Sequence, residues 1–122
     1  LRTALLVTLA GGAGSLCRYG VALWLIPRAG ALPWPTFVVN VLGCLLMGAL
    51  YELHGSGRLS QSLALLLMTG FLGGFTTFSA FGLDTFKLLG AERIGWALAY
   101  VLGTVLVGFG ALVLGVRLIR LL

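Results

Sequence analysis

Four apolar runs follow one another with almost nothing between them, and this limits the possible folds more than any motif in the chain. They cover about residues 3–26, 36–51, 61–89 and 94–114. A helix that crosses a bilayer needs about 20 mostly apolar residues, so each run is one span, the second a short one. Pro27, Arg28, Gly30, Pro33 and Pro35 mark the first break. Glu52, His54, Gly55, Ser56, Gly57 and Arg58 mark the second, Glu92 and Arg93 the third, and Arg117 and Arg120 close the last run. Trp24, Trp34, Tyr51 and Trp96 fall near run ends, where amphipathic rings prefer the headgroup level. The first run is too long for a signal peptide's apolar region and lacks a clean small-residue cleavage site. With no linker between runs, residues 1–122 read as a single transmembrane domain of an all-α membrane protein, with both termini on one side.

Composition removes the soluble alternative. Only 9% of the 122 residues are charged, against roughly 25% in soluble domains. A chain of this size cannot hide so much apolar surface within itself. The net charge of +5 does not indicate nucleic acid, because the basic residues are scattered singly and form no basic face or arm. Cys17 and Cys44 lie inside apolar runs and read as small packing residues. One side of the four-span arrangement holds Arg2, Arg58, Arg117 and Arg120, and the other holds Arg28, Lys87 and Arg93. That near-even count gives no clear bias under the positive-inside rule. Two outcomes stay open: a single orientation, or insertion both ways with an antiparallel pair of copies. Small residues at helical spacing, Ala10 with Gly14 and Gly95 with Ala99 and Gly103, read as close-packing faces. So thin a bundle encloses little, so association is expected.

Four polar features need more than packing. Arg18 lies deep in the first run, about 12 Å from its end at 1.5 Å per residue. Its charge is expensive there. It either snorkels and anchors the helix or makes a positive potential that attracts anions. Asn40 must find partners, either by joining helices or by offering N–H donors to a passing ligand. The stretch Gly70–Phe71–Leu72–Gly73–Gly74–Phe75–Thr76–Thr77–Phe78–Ser79–Ala80–Phe81 puts paired glycines and paired β-branched threonines in mid-span, which predicts a broken helix. Freed carbonyls there can hold a hard cation, and Thr76, Thr77 and Ser79 add hydroxyls. Phe78 and Phe81 share a helix face. They either pack or turn their positive ring edges to an anion. Acids are nearly absent from the spans, and Asp84 lies late in the third, which argues against proton-coupled export.

These motifs resemble a known family. Gly11–Gly12–Ala13–Gly14–Ser15–Leu16–Cys17–Arg18–Tyr19, Thr36–Phe37–Val38–Val39–Asn40–Val41–Leu42–Gly43 and the third-span stretch are similar, in sequence and order, to the signatures of the Fluc (CrcB) fluoride channels. The resemblance covers essentially the whole chain. It implies an antiparallel dual-topology homodimer with two pores, no catalytic site, and passive export of fluoride across the inner (cytoplasmic) membrane of a microbe. It also implies a structural sodium ion at the dimer centre, held by the backbone carbonyls of Gly73 and Thr76 from both copies. Asn40 carries over as a pore donor, Phe78 and Phe81 as ring-edge contacts, Arg18 as a vestibule residue, and Thr77 and Ser79 as hydroxyls of a polar track. Tyr100 corresponds by its place to a pore tyrosine. One departure is the absence of a serine farther along the fourth span, where Thr104 is the available hydroxyl. The runner-up is a small dual-topology multidrug transporter, which would need a membrane-buried acid in the first span, and that span contains none. A third reading is a non-transporting assembly subunit whose polar groups only join helices.

Overall fold

The computed structural model describes residues 1–122 and is entirely helical. Helix α1 is Arg2–Ala29 and α2 is Trp34–Gly55. The third span, Gln61–Gly90, divides into α3 (residues 61–75) and α4 (Phe78–Gly90). Helix α5 is Ile94–Arg120. All four spans are long and apolar enough to cross a bilayer, and the chain is a multi-pass membrane protein.

The helices run past the expected ends. Pro27 and Arg28, expected in the first loop, belong to the last turn of α1. The Arg28 guanidinium donates to the Trp24 carbonyl one turn back and lies 5.0 Å from that ring's centre. A cation suits a helix C-terminus, whose carbonyls are unpaired. Glu52, His54 and Gly55, also expected in a loop, continue α2 by a turn. There Glu52 pairs with Arg120 at 3.0 Å, and an Arg58 Nη donates to the Ile119 carbonyl at 3.0 Å, tying the second loop to the end of α5. Pro35 sits in the first turn of α2, where a missing N–H costs nothing.

Two close crossings assemble the bundle. Where α1 meets α3, a Cβ on Gly14 would lie 2.0 Å from the Phe71 carbonyl oxygen, and one on Gly74 would lie 2.1 Å from that of Gly11. Where α2 meets α5, a Cβ on Gly48 would lie 2.0 Å from the Leu112 oxygen and one on Gly115 2.1 Å from that of Leu45. Backbones in such contact gain the dispersion and close approach that hold helices together in lipid. Ala10 and Gly14 do form the expected packing face. Gly95 meets nothing within 4 Å and Gly103 only the Phe37 ring edge at 3.9 Å, so the expected α5 face is not a close crossing within the protomer.

The third span is not a uniform helix. Residues Leu65–Leu72 form a π-helix, with its wider turn, and Gly73–Phe75 return to α geometry. Thr76 (φ −85°, ψ 159°) and Thr77 (φ −152°, ψ 115°) are extended. The break therefore falls on the β-branched pair, whereas Gly73 and Gly74 stay helical and Gly74 serves the crossing with α1. Thr77 Oγ1 accepts from the Ala80 N–H at 3.2 Å and so starts α4.

Only Val39, Ala64, Leu72, Phe75, Leu88, Ala97 and Tyr100 are buried hydrophobics. All but Ala64 fall into two small clusters on either side of the break. Val39, Leu72 and Phe75 lie against Phe71 and Met47, and Leu88, Ala97 and Tyr100 lie against Phe37 and Phe81.

Candidate functional site

Extending Thr76 and Thr77 frees backbone groups in the middle of a span, where no water is at hand to satisfy them. Their fate defines the site. Asn40, in the second turn of α2, takes both backbone polar groups of one residue, Thr77. Its Nδ2 donates to the Thr77 carbonyl at 3.1 Å, and its Oδ1 accepts from the Thr77 N–H at 2.8 Å. One Nδ2 hydrogen remains for another acceptor. Between the two possibilities the sequence left open, the structure shows a helix-joining role that still leaves one donor unused.

On the α1 side, Arg18 and Ser15 converge on a single carbonyl. Arg18 Nε donates to the Gly74 oxygen at 3.1 Å, and the Ser15 hydroxyl donates to the same oxygen at 3.4 Å. The Arg18 side chain thus ties α1 to the third span beside the break. The Thr76 hydroxyl is turned inward onto the Leu72 carbonyl at 2.9 Å, one turn back. Thr77 Oγ1 and Ser79 Oγ lie 3.2 Å apart.

Carbonyls at the break are left without hydrogen bonds, those of Gly73 and Thr76 among them. Gly73 loses the donor a continuous helix would supply, because the Thr77 N–H goes to Asn40. Thr76 accepts no backbone or side-chain hydrogen bond. Both are hard oxygen donors in a water-poor region, a donor set that suits a hard cation. No group of three or more His, Cys, Asp or Glu residues could hold a metal by side chains.

Beyond the break runs a line of aromatic rings. The Phe78 and Phe81 ring centres are 5.6 Å apart at an interplanar angle of 40°, and those of Phe81 and Tyr100 are 5.3 Å apart at 44°. These tilted arrangements leave ring edges available to a third group. Phe78 is 84% exposed on the protomer, so one side of the line is open. The hydroxyls of Tyr100 and Thr104, one turn apart on α5, are buried and have no hydrogen-bond partner. Such groups are costly unless something else satisfies them.

The break between α1 and α2 opens onto a cavity of about 540 Å³ whose lining includes Thr36, Asp84, Lys87 and Arg93. Thr36 donates its hydroxyl to Asp84 Oδ2 at 2.6 Å. Sequence reading missed this pair because 48 residues separate its members. It missed Ser15 too, although Ser15 and Arg18 are three apart and hence neighbours on one helix face.

Taken together, these features define a four-span membrane protein with polar groups and unpaired carbonyls gathered where its third span breaks. Residues 5–116 match the family described as CrcB-like protein, Camphor Resistance (CrcB), and the chain belongs to that family. It is 43% identical over 118 residues to a fluoride-specific ion channel of Chloroflexus aurantiacus, covering 95% of this chain and 94% of the relative. A fluoride-specific ion channel of Thermus thermophilus is 44% identical over 115 residues, covering 93% and 91%. One of Paracoccus denitrificans is 46% identical over 120 residues, covering 97% and 94%. All three relatives carry the name of a channel and not of an enzyme.

Proposed function

We propose that this chain is a fluoride channel, letting fluoride leave the cytoplasm passively through the cytoplasmic membrane. The observation that carries the reading is the ring line Phe78–Phe81–Tyr100 beside the break, in a chain 43–46% identical to proteins named for fluoride conduction. Fluoride is small and strongly hydrated, so a pore must replace its water with several donors at once. The spare Asn40 N–H, the hydroxyls of Thr77, Ser79, Tyr100 and Thr104, and the ring edges of Phe78 and Phe81 are such donors. None carries a full charge, so the anion is held weakly enough to move on. Arg18 adds a positive potential close by.

The functional unit is an antiparallel homodimer with two pores. The open side of Phe78 supports this, since one protomer leaves the ring line unwalled. A sodium ion sits at the dimer centre, structural and not transported, on the Gly73 and Thr76 carbonyls of both copies. The missing hydrogen bonds at these carbonyls support that assignment, and the ion's charge offsets anion repulsion nearby.

The test is a fluoride-electrode recording from proteoliposomes, with fluoride against chloride. Fluoride efflux without chloride efflux is expected, falling more than tenfold in Phe78→Ile and in Phe81→Ile. Undiminished efflux in both variants would take the rings out of the pathway. Equal chloride efflux would remove the fluoride assignment.

A further inference from the structure

We infer that Arg18 acts as a charge filter for the cation site, restricting it to monovalent ions and lowering its affinity. The inference rests on the sodium site proposed above. Helix α3 ends at Phe75, and a helix C-terminus carries partial negative charge on its last carbonyls. The carbonyls of Gly73, Gly74 and Phe75 lie in that last turn, and that of Thr76 follows as the cap. Gly74 already holds a cation, because Arg18 Nε donates to it at 3.1 Å and Ser15 supports it at 3.4 Å.

This has two consequences. Gly74 is withdrawn from any cation site, which leaves the carbonyls on either side of it open, Gly73 and Thr76 of the proposed site among them. A permanent positive charge also sits one residue from the first of them. The guanidinium does not deprotonate in proteins, so the repulsion it exerts is constant. Repulsion between charges scales with their product, so a divalent ion at the site meets twice the penalty of a monovalent one. Carbonyl oxygens suit calcium as well as sodium, so the donors alone do not discriminate between them. The arginine does. The glycine contacts that press α1 onto α3 at Gly14 and Gly74 hold this charge in place. Arg18 is therefore a positioning residue for the break and sets the electrostatics of its cation site.

The experiment reads thermal stability of the purified protein in detergent without fluoride, as sodium replaces N-methylglucamine. Wild type, Arg18→Gln and Arg18→Lys are compared, and calcium is titrated separately. Wild type should be stabilised by sodium and not by calcium at the same concentrations. Arg18→Gln keeps a donor for Gly74 but removes the charge. Its half-stabilising sodium concentration should fall about tenfold, the order expected for one nearby unit charge in a partly wet site, and calcium should now stabilise. Arg18→Lys restores the charge and should keep the wild-type half-point within about twofold. An unchanged or higher half-point in Arg18→Gln, with wild type responding to sodium, overturns the role of Arg18 and leaves the sodium site standing. No response of wild type to sodium removes the site and this inference together. If Arg18→Gln does not fold, wild type decides: stabilisation by calcium equal to that by sodium overturns the filter.

Discussion

At the scale of single residues, the break is held by side chains that spend hydrogen bonds on backbone. Asn40 is the main case. Replacing it by alanine orphans both the Thr77 N–H and the Thr77 carbonyl. Each unsatisfied buried group costs about 1–3 kcal/mol. Asn40→Ala is expected to lower thermal stability by roughly 2–5 kcal/mol and to reduce fluoride efflux, measured by unfolding in detergent and by the electrode assay. Asn40→Asp keeps the acceptor for the Thr77 N–H but turns a donor into a charge facing the Thr77 carbonyl. It should lose efflux at least as fully. Normal efflux in Asn40→Asp would show that no Asn40 donor serves the anion. Thr104→Val removes a buried hydroxyl that has no partner within the protomer. Stability should hold or rise, since an unsatisfied polar atom is removed, while efflux falls. Unchanged efflux would end the polar track at Tyr100.

At the scale of elements, helix crossings decide which glycines matter. Gly14 and Gly74 press backbone to backbone between α1 and α3, whereas Gly12 faces open space. Gly14→Ala and Gly74→Ala should each destabilise the fold by about 1–3 kcal/mol or more, because overpacking must move whole helices. Gly12→Ala should be close to neutral. Size-exclusion profiles and thermal unfolding of the three variants check this, and equal behaviour of all three would contradict the crossing. Spacing alone did not make this choice. Gly95, Ala99 and Gly103 share a helical repeat as good as that of Ala10 and Gly14, yet Gly95 touches nothing within 4 Å. A four-residue spacing shows that a helix can be approached closely, and only the path of the neighbouring helix shows whether it is. The break follows the same logic. Paired glycines and paired threonines both weaken a helix, but Gly74 is fixed in helical geometry by its seat on α1, so the strain is released at Thr76 and Thr77.

At the scale of the whole molecule, the single chain leaves two features uncovered. Its buried core is small, and Phe78, in the ring line, is almost fully exposed. The antiparallel pair proposed above accounts for both, and charge tests it. Two extra arginines at the end carrying Arg58, Arg117 and Arg120 should force one orientation, and two at the opposite end should force the other. Each variant alone should be inactive in fluoride-resistance and efflux assays, and co-expression of the two should restore activity. Full activity of either variant alone would rule out the antiparallel dimer.

Hydropathy alone was enough to determine four spans and the membrane setting, because bilayer thickness fixes helix length independently of how the helices pack. The motifs were enough to indicate the family, a result the match over residues 5–116 supports. Three things depended on the tertiary structure. It set the break at Thr76–Thr77, it turned Asn40 and Arg18 onto backbone groups 37 and 56 residues away, and it paired Thr36 with Asp84. Each of these joins residues far apart in the chain, and local propensity carries no information about such partners. A polar residue in a membrane span signals that it must be satisfied, and the packing of the helices decides by which group.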